Sequence, residues 1–356
     1  MKRFCSAREL LLSALMLLAT LVFLFTADKA RSSGEPTTVP SAPAATDAPA
    51  PSAAPSSAPA SAFVPSPDSL FDTPADVLEK EREAKAAYAS AEPVGTVQEI
   101  FYRDQGATDA VGAVRVKNAT YEQDPDFAAL IEEGPALEVE NKSAPTVLIF
   151  HTHTSEAYLG AATGYFYGNE ASRSLSPDES VVRVGSELAA VLEQNGIGVI
   201  HDTAVYDDVY TGAYARSREA VEAYLREYPT ILITLDVHRD ATYNNSSSAI
   251  KPTAVIDGAK AAQVMIITGA EEGDVTSFPN WQENLRFALA LQNAAEARYP
   301  GLMRPVFFCR RRYNMDLTPN SLLLEFGSDT NTLAEAVLAG RMIGQALSDV
   351  ISSAET

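Results

Sequence analysis

Four histidines and one glutamate are the side chains of this sequence best suited to catalysis. Three of the histidines, together with Glu325, stand at the ends of short apolar runs typical of buried strands. His151 and His153 follow the run TVLIF, His238 ends ILITLDVH, and Glu325 lies within LLLEF. A catalytic zinc ion usually has three protein ligands of the histidine and carboxylate types and keeps a position for water. These residues therefore predict a zinc-dependent hydrolytic site.

The spacing of the residues leaves the choice of metal ligands open. The pattern His-x-His-x-x-Glu, formed by His151, His153 and Glu156, has ligand types but not the spacing of a zinc finger. Along an extended chain both histidines would point to the same side, whereas a turn would separate them and leave only one as a ligand. His201 is expected at a strand end or in a loop.

Glu325 follows three leucines, so we expect its carboxyl group to be partly desolvated, which raises its pKa. A carboxyl group of raised pKa can act first as a general base and then as a general acid toward a leaving amine. The alternative is a structural ion pair, for instance with the run Arg310-Arg311-Arg312.

Other catalytic classes lack the motifs that they need. The chain has no Gly-x-Ser-x-Gly elbow, which argues against a serine hydrolase built around Ser155. The triplet His238-Arg239-Asp240 resembles a kinase catalytic loop, but a Gly-rich phosphate loop and an Asp-Phe-Gly motif are missing. Cys309 lies in the apolar run PVFFC and is predicted to be a core residue.

The elements that must position these residues alternate between strand and helix. Such alternation is typical of βαβ crossovers, and therefore of an α/β fold with a mainly parallel twisted sheet and helices on both faces. Functional residues of such sheets gather beyond the carboxyl ends of the strands, where the candidate residues are predicted. The predicted strands are residues 146–150, 198–201, 231–238, 262–268, 305–309 and 322–326, and the predicted helices are residues 181–192, 214–228, 281–299 and 331–351.

The acidic charge is unevenly distributed along the 356 residues. There are 27 Lys and Arg against 47 Asp and Glu, a net charge of −20. Residues 1–33 carry a net charge of +3, which leaves −23 for the remainder. So acidic a body lacks the basic face that nucleic-acid binding requires. Two cysteines are too few for a disulfide scaffold or an all-cysteine zinc site.

Residues 10–27 form an apolar run without a charged side chain. As a helix this run would cross about 27 Å. Asp28 and Lys29 stand where a cleavage site would need small neutral residues, so we expect an uncleaved signal anchor, with a cleaved signal peptide as the alternative. The basic residues before the run predict a cytoplasmic segment at residues 1–9 and a single-pass protein of the cell membrane whose body is extracytoplasmic.

Three further segments follow the predicted anchor. Residues 28–68 are rich in Pro, Ala and Ser, a composition that cannot bury enough apolar surface to fold, and they predict a disordered linker. Residues 69–92 are charged and Ala-rich and predict a helical stalk. Residues 93–356 are expected to form the catalytic domain.

Five motifs in order give the chain its resemblance to a known family. They are VLIFHTHTSEAY at residues 147–158, VVRVGSELAAVLEQNGIGVIHD at 181–202, LDVHRDA at 235–241, PNWQENLRFALALQ at 279–292 and YNMDLTPNSLLLEFG at 313–327. Together they resemble the stage II sporulation protein P family over residues 100–356. The N-terminal anchor and the low-complexity linker fit the layout of that family as well.

The resemblance implies a fold and an activity. The family is similar to the zinc-dependent N-acetylmuramoyl-L-alanine amidases, so it implies their fold and a Zn²⁺ cofactor. It further implies cleavage of peptidoglycan during sporulation engulfment, at the bond between N-acetylmuramic acid and L-alanine and also at peptide cross-links. Implied partners are the stage II sporulation proteins D, a lytic transglycosylase, and M, a membrane scaffold.

The resemblance also implies roles for individual residues. His151 or His153 and His238 would be metal ligands, and Glu156 would be the carboxylate ligand. The wider amidase superfamily has its glutamate ligand at the start of the next helix, which would favour Glu179 instead. Glu325 matches the catalytic glutamate of the Leu-Leu-Glu-Phe-Gly motif. Arg239 would bind substrate, with an ion pair to a neighbouring acid as the alternative.

Two other functions are compatible with the same fold. One is a non-catalytic scaffold that binds the cell wall, which would need neither a metal ion nor a general base. The other is a different zinc metallohydrolase, such as a peptidase or a deacetylase. The histidines and glutamates at the predicted strand ends favour an enzyme over the scaffold.

Overall fold

A computed structural model of the chain describes residues 70–168 and 172–356. The predicted cytoplasmic segment, the signal anchor at residues 10–27 and the linker at residues 28–68 lie outside the described residues. Within the two described ranges, no helix combines the length and the hydrophobicity needed to cross a bilayer.

The described residues form six α-helices. Helix α3 begins after Ser180, whose hydroxyl accepts a hydrogen bond from the Val182 amide, and α6 begins with a capping box between Thr332 and Glu335. The capping box at Thr332 explains why α6 begins two residues later than the apolar pattern predicts. The helices are α1 (Ala75–Tyr88), α2 (Phe127–Glu133), α3 (Val181–Gln194), α4 (Ala213–Glu227), α5 (Trp281–Arg298) and α6 (Leu333–Ser353).

Eight strands form the main sheet, in the order β2-β3-β12-β11-β13-β7-β4-β6. The pairs β13–β7, β7–β4 and β4–β6 are parallel, as predicted. The strands are β2 (Asp109–Val111), β3 (Val114–Asn118), β4 (Pro145–Phe150), β6 (Gly198–His201), β7 (Ile233–Asp240), β11 (Val264–Gly269), β12 (Val306–Cys309) and β13 (Ser321–Ser328).

The main sheet is mixed: five of its seven strand pairs are parallel, in line with the predicted mainly parallel arrangement, and two are antiparallel. Strand β11 is antiparallel to β13, and β2 is antiparallel to β3. The predicted strand at residues 262–268 is divided, because Gln263 separates β10 (Ala259–Ala262) from β11. The chain enters β11 from β10, which belongs to a different sheet, and no helix lies between β7 and β11. No helical crossover therefore makes β11 parallel to β7. The α/β class is confirmed.

A second, smaller sheet has the order β10-β9-β1-β5, and β8 also pairs with β9. Its strands come from segments where the apolar pattern is too short and irregular to predict them. They are β1 (Pro93–Ile100), β5 (Tyr165–Tyr167), β8 (Tyr243–Asn245), β9 (Ser248–Ile256) and β10 (Ala259–Ala262).

Helices cover the two faces of the main sheet unequally. Val147 and Ile149 of β4 pack with residues of α3, α5 and α6 in the large core. Leu148 and Phe150 point to the opposite face, where they pack against Val221 of α4. Because side chains alternate along a strand, this register assigns every residue of the sheet to one face or the other. We call the side that carries Leu148 and Phe150 the α4 face.

Helix α1 packs on the body of the domain. Asp76 forms an ion pair with Arg183 of α3, and Lys80 forms another with Glu179 at 3.2 Å. Ala84 lies so close to Gly160 that an added methyl group there would be 2.5 Å from the alanine Cβ. The glycine therefore permits the close approach of this helix.

Candidate active site

The carboxyl ends of β4, β7 and β13 bring the predicted site residues to one edge of the main sheet. Phe150 of β4 is in register with Asp236 of β7, and His238 is in register with Glu325 of β13. Residues in register on neighbouring strands point to the same face. His238 and Glu325 therefore stand side by side on the α4 face, while the turn after β4 carries His153 and Glu156 toward them.

His153, Glu156 and His238 form one candidate metal group. Nδ1 of His153 lies 3.4 Å from Oε1 of Glu156, and Nδ1 of His238 lies 3.3 Å from Oε2 of the same carboxylate. One ligand atom from each residue can be chosen so that all three lie within 4.8 Å of one another. Ligand atoms around a tetrahedral zinc ion, each about 2.0–2.1 Å from the metal, are about 3.3–3.4 Å apart. The two separations, one to each oxygen of Glu156, match this spacing, so the three residues could hold a zinc ion.

The charges around this group favour a cation. Burial opposes ionisation of Glu156, but hydrogen bonds from His153 and His238 outweigh it and lower the pKa of the carboxyl group. Burial likewise opposes a charged His238 ring, but the carboxylates of Asp236 and Glu156 outweigh it and raise the pKa of the imidazole well above its usual value. Nε2 of His238 lies 2.8 Å from Oδ1 of Asp236. A carboxylate behind a ligand histidine orients the ring and increases its basicity.

Arg239 is held by hydrogen bonds to its neighbours in the protein. Its backbone amide donates to Oε2 of Glu156 at 3.2 Å, and its guanidinium donates to the carbonyls of Ala157 and Ser172. Its Nη1 also lies 3.8 Å from Oε1 of Glu156. The side chain is 7% exposed. Arg239 thus holds Glu156 and the loop that carries it, and the ion-pair alternative describes it better than substrate binding.

Glu325 has the environment of a general base. Its Oε2 is buried and has no hydrogen-bond partner within the described part of the chain. Burial and the nearby carboxylate of Glu156 outweigh the attraction of His238 and raise the pKa of Glu325 to about 8. The alternative ion pair with the arginine run does not form: Arg310 stacks on Tyr121 at 4.2 Å, and Arg312 lies 3.7 Å from Asp316.

The raised pKa of Glu325 predicts a pH-dependent loss of stability in the metal-free protein. In the unfolded chain this carboxyl group ionises near pH 4.5, but in the folded protein only near pH 8. The free energy of unfolding of the wild type should therefore fall relative to that of Glu325→Gln as the pH rises from 4.5 to 8. The fall is at most about 1.4 kcal/mol for each unit by which the folded and unfolded pKa values differ. Urea unfolding in the presence of a chelator at pH 5 and pH 9 measures the difference. An equal difference at both pH values would contradict the assigned environment.

His151 does not join the metal group. Its Nδ1 lies 2.9 Å from the carbonyl of Val237, and its Nε2 lies 2.9 Å from Nε2 of His201. His151 is buried and His201 is half-buried, and desolvation lowers the pKa of His151 to about 4 and the pKa of His201 well below its usual value. Two neutral rings satisfy this geometry when His151 donates to Val237 and accepts from His201. The ligand prediction for His151 thus has no support in the geometry, because its ring already serves this pair.

Gly185 of α3 makes room for the His151–His201 pair. A Cβ atom at this position would lie 2.7 Å from Cε1 of His151 and 2.8 Å from Nε2 of His201. Gly185→Ala should therefore destabilise the domain by about 1–3 kcal/mol, the usual effect of overpacking, even though alanine favours a helix. Chemical unfolding measures this loss. Ser186→Ala, at the neighbouring exposed position, is the control, and equal stability of both variants would contradict the close packing.

The sequence pattern did not identify three residues that support the site. Tyr210 stacks on the His153 ring at 4.9 Å, and Tyr214 meets the same ring edge-on at 5.5 Å. Asp236 lies behind His238. Its position two residues before His238 on a strand, and therefore on the same face, was a usable signal. The tyrosines lie beyond β6, and no local pattern connects them with His153.

Glu179 is far less suited to metal binding than Glu156. Its carboxylate accepts a hydrogen bond from Ser174 at 2.8 Å and pairs with Lys80 on the surface. Glu156 is 6% exposed and lies between the two histidines. The geometry therefore favours Glu156 as the carboxylate ligand.

The chain is 30% identical over 221 residues to the stage II sporulation protein P of Bacillus subtilis (strain 168). That match covers 59% of this chain and 52% of the relative, so the chain matches about half of the relative's length.

Solved structures of amidases also align with the chain. One is the N-acetylmuramoyl-L-alanine amidase AmiC2 of Nostoc punctiforme, with a TM-score of 0.34, 14% identity and coverage of 60% of this chain and 97% of that one. Another is the CwlD amidase from Clostridioides difficile in complex with the GerS lipoprotein, with a TM-score of 0.36, 12% identity and coverage of 59% and 98%.

The family comparison covers most of the chain. The model of the family described as stage II sporulation protein P matches residues 69–350. This range includes helix α1, both sheets and every residue of the candidate site. The chain therefore belongs to the stage II sporulation protein P family.

Proposed function

We propose that this protein is a zinc-dependent peptidoglycan hydrolase of sporulation that cleaves the amide bond between N-acetylmuramic acid and L-alanine. The proposal depends above all on the convergence of His153, Glu156 and His238, with Glu325 beside them on the neighbouring strand. Family membership supplies the sporulation context. The ligand group and an adjacent carboxyl group are the parts that metal-assisted amide hydrolysis requires.

The residues divide the work of hydrolysis among them. A zinc ion held by His153, Glu156 and His238 would polarise the scissile carbonyl and lower the pKa of a water molecule. Glu325 would accept the proton of that water at Oε2 and then donate it to the nitrogen of the leaving alanine. The C–N bond breaks, so the products are a lactyl carboxylate and a free amine. Asp236 would keep the His238 ring oriented throughout.

The buried carboxyl group of Glu325 favours an enzyme over a wall-binding scaffold. A buried polar atom without a hydrogen bond costs about 1–3 kcal/mol. A scaffold gains nothing from that cost, whereas a general base needs its oxygen free for the substrate. The same residues could hydrolyse a peptide bond in a cross-link, so endopeptidase activity belongs to the proposal as well.

The cellular setting proposed here comes from the sequence. The apolar run at residues 10–27 would anchor the protein in the cell membrane, and the linker at residues 28–68 would let the extracytoplasmic domain reach the wall. Stage II sporulation proteins D and M are proposed partners. Alkaline extraction of membranes from cells that produce the protein with or without residues 1–33 tests the anchor. Only an integral membrane protein stays in the membrane fraction.

Mass spectrometry of purified peptidoglycan digested by the protein tests the activity. An amidase releases stem peptides with a free alanine amine and leaves lactyl carboxylates on the glycan. Cuts confined to cross-links would indicate a peptidase, loss of acetyl groups a deacetylase, and an unchanged polymer a scaffold. Each of these three results would contradict the proposed amidase.

A further inference from the structure

The α4 face of the main sheet is open next to the candidate site. Helix α4 packs on β4, and the other large helices pack on the opposite face. Around Ile267 and Leu323 the α4 face is covered by Tyr313, but Met265 of β11 and Phe307 of β12 stay partly exposed. A partly exposed apolar strip of sheet thus lies beyond Glu325.

The strand register connects this strip to the candidate site. Met265 is directly opposite Glu325, and two residues further along β11 Ile267 is opposite Phe307. Phe307 is in turn opposite Lys117 of β3. All of these side chains lie on the α4 face because they are in register or two residues apart on one strand. Glu325, Met265, Phe307 and Lys117 therefore form a path across four strands, which we call the open strip.

The length of the open strip suits a short peptide. Lys117 is three strands away from Glu325 and is displaced by two residues along the strands. With strands about 4.8 Å apart and a rise of about 3.4 Å per residue, the two backbone positions are about 16 Å apart. An extended peptide of four to five residues would span this distance.

The far end of the open strip is positively charged. Lys117 is exposed, and its Nζ lies 5.1 Å from the centroid of the Phe307 ring. It forms no ion pair with any residue in the ranges 70–168 and 172–356. Arg115, two residues away on the same face, is paired with Asp104 at 2.6 Å. In a chain of net charge −20, an unpaired lysine at the end of an apolar strip is placed to bind a carboxylate.

We propose that the open strip binds the acidic peptide of the wall polymer in an extended form. The peptide runs from the scissile amide at Glu325, over Met265 and Phe307, to a free carboxylate at Lys117. This inference rests on the proposed function, because it takes the peptide next to the cleaved bond as the occupant. It adds a recognition site for a carboxylate at the fourth or fifth residue of that peptide.

The open strip is tested by comparing the cleavage of two substrates by the wild type and by variants of Lys117. The substrates are an N-acetylmuramoyl tetrapeptide with free carboxylates and the same compound with its carboxylates amidated. Wild type should prefer the acidic form by about tenfold in kcat/KM, as expected for one charged hydrogen bond. Lys117→Glu and Lys117→Met should lose this preference through KM. The methionine variant preserves contact with Phe307 and separates charge from packing.

Lys142→Glu is the control. It makes the same change of charge at a lysine that precedes the first residue of β4, at the end of this strand opposite to the candidate site. It should retain the preference for the acidic substrate. The proposal is overturned if wild type cleaves both substrates equally, if the Lys117 variants retain the preference, or if those variants lose both substrates to the same extent.

A separate measurement distinguishes failure of the strip from failure of the proposed function. If wild type cleaves neither compound, the amidase assignment is contradicted, and calorimetric binding of the acidic tetrapeptide to the zinc-loaded protein then tests the strip. Binding that is about tenfold weaker in Lys117→Met supports the strip. Absent binding, or binding unaffected by the substitution, overturns it.

Discussion

Glu325→Gln is expected to lower kcat for cleavage of the muramoyl–alanine bond by about 10²–10⁴-fold, the usual contribution of a general acid or base. Glutamine has nearly the same shape but can neither accept the proton from water nor deliver it to the leaving amine. The rate of stem-peptide release from purified peptidoglycan measures the effect. Zinc content, measured by elemental analysis, should stay unchanged because Glu325 is not in the ligand group.

The retention of zinc makes this result specific to proton transfer. A variant that lost both activity and zinc would place Glu325 among the ligands instead. Glu272→Gln is the control, because Glu272 is 5% exposed and its carboxylate accepts a hydrogen bond from the Tyr121 amide away from the site. A Glu325→Gln protein with wild-type activity would remove the general base from the proposal.

His153→Ala and His238→Ala are each expected to weaken zinc binding by more than about 100-fold. Loss of a residue that only supports a metal ligand weakens binding by up to about 100-fold, and loss of a ligand itself should have a larger effect. Each substitution removes one nitrogen from a group of three protein ligands, and the two that remain cannot define a tetrahedral site. Equilibrium dialysis against a zinc buffer measures the affinity. Full zinc occupancy in either variant would exclude that histidine as a ligand.

His151→Asn provides the contrast for these two variants. The ring of His151 contacts Val237 and His201 and lies outside the ligand group, so this variant should bind zinc while its unfolding free energy falls. If His151→Asn lost zinc and His153→Ala kept it, the assignment of the first ligand would be reversed. Circular dichroism is the measurement that checks whether all three variants remain folded.

The strand ends illustrate what a one-dimensional pattern can predict. The runs that end near Phe150, His238 and Glu325 are apolar on both faces, which a buried parallel strand requires, and their carboxyl ends meet at one edge. The general location of the site therefore followed from burial and chain direction. The antiparallel strand β11 did not, because strand direction depends on the connection through β10 and not on the residues of β11 itself.

The sequence by itself determined that this chain has an α/β domain and that its motifs are those of the stage II sporulation protein P family, and it predicted that His151, His153, His238 and Glu325 lie at one edge of the sheet. Only the tertiary structure favours His153 over His151 and Glu156 over Glu179 as candidate ligands. The turn after β4 points His153 toward His238, while Gly185 leaves space for His151 against His201. Such choices depend on side-chain direction and on residues distant in the sequence, and the spacing along the chain records neither.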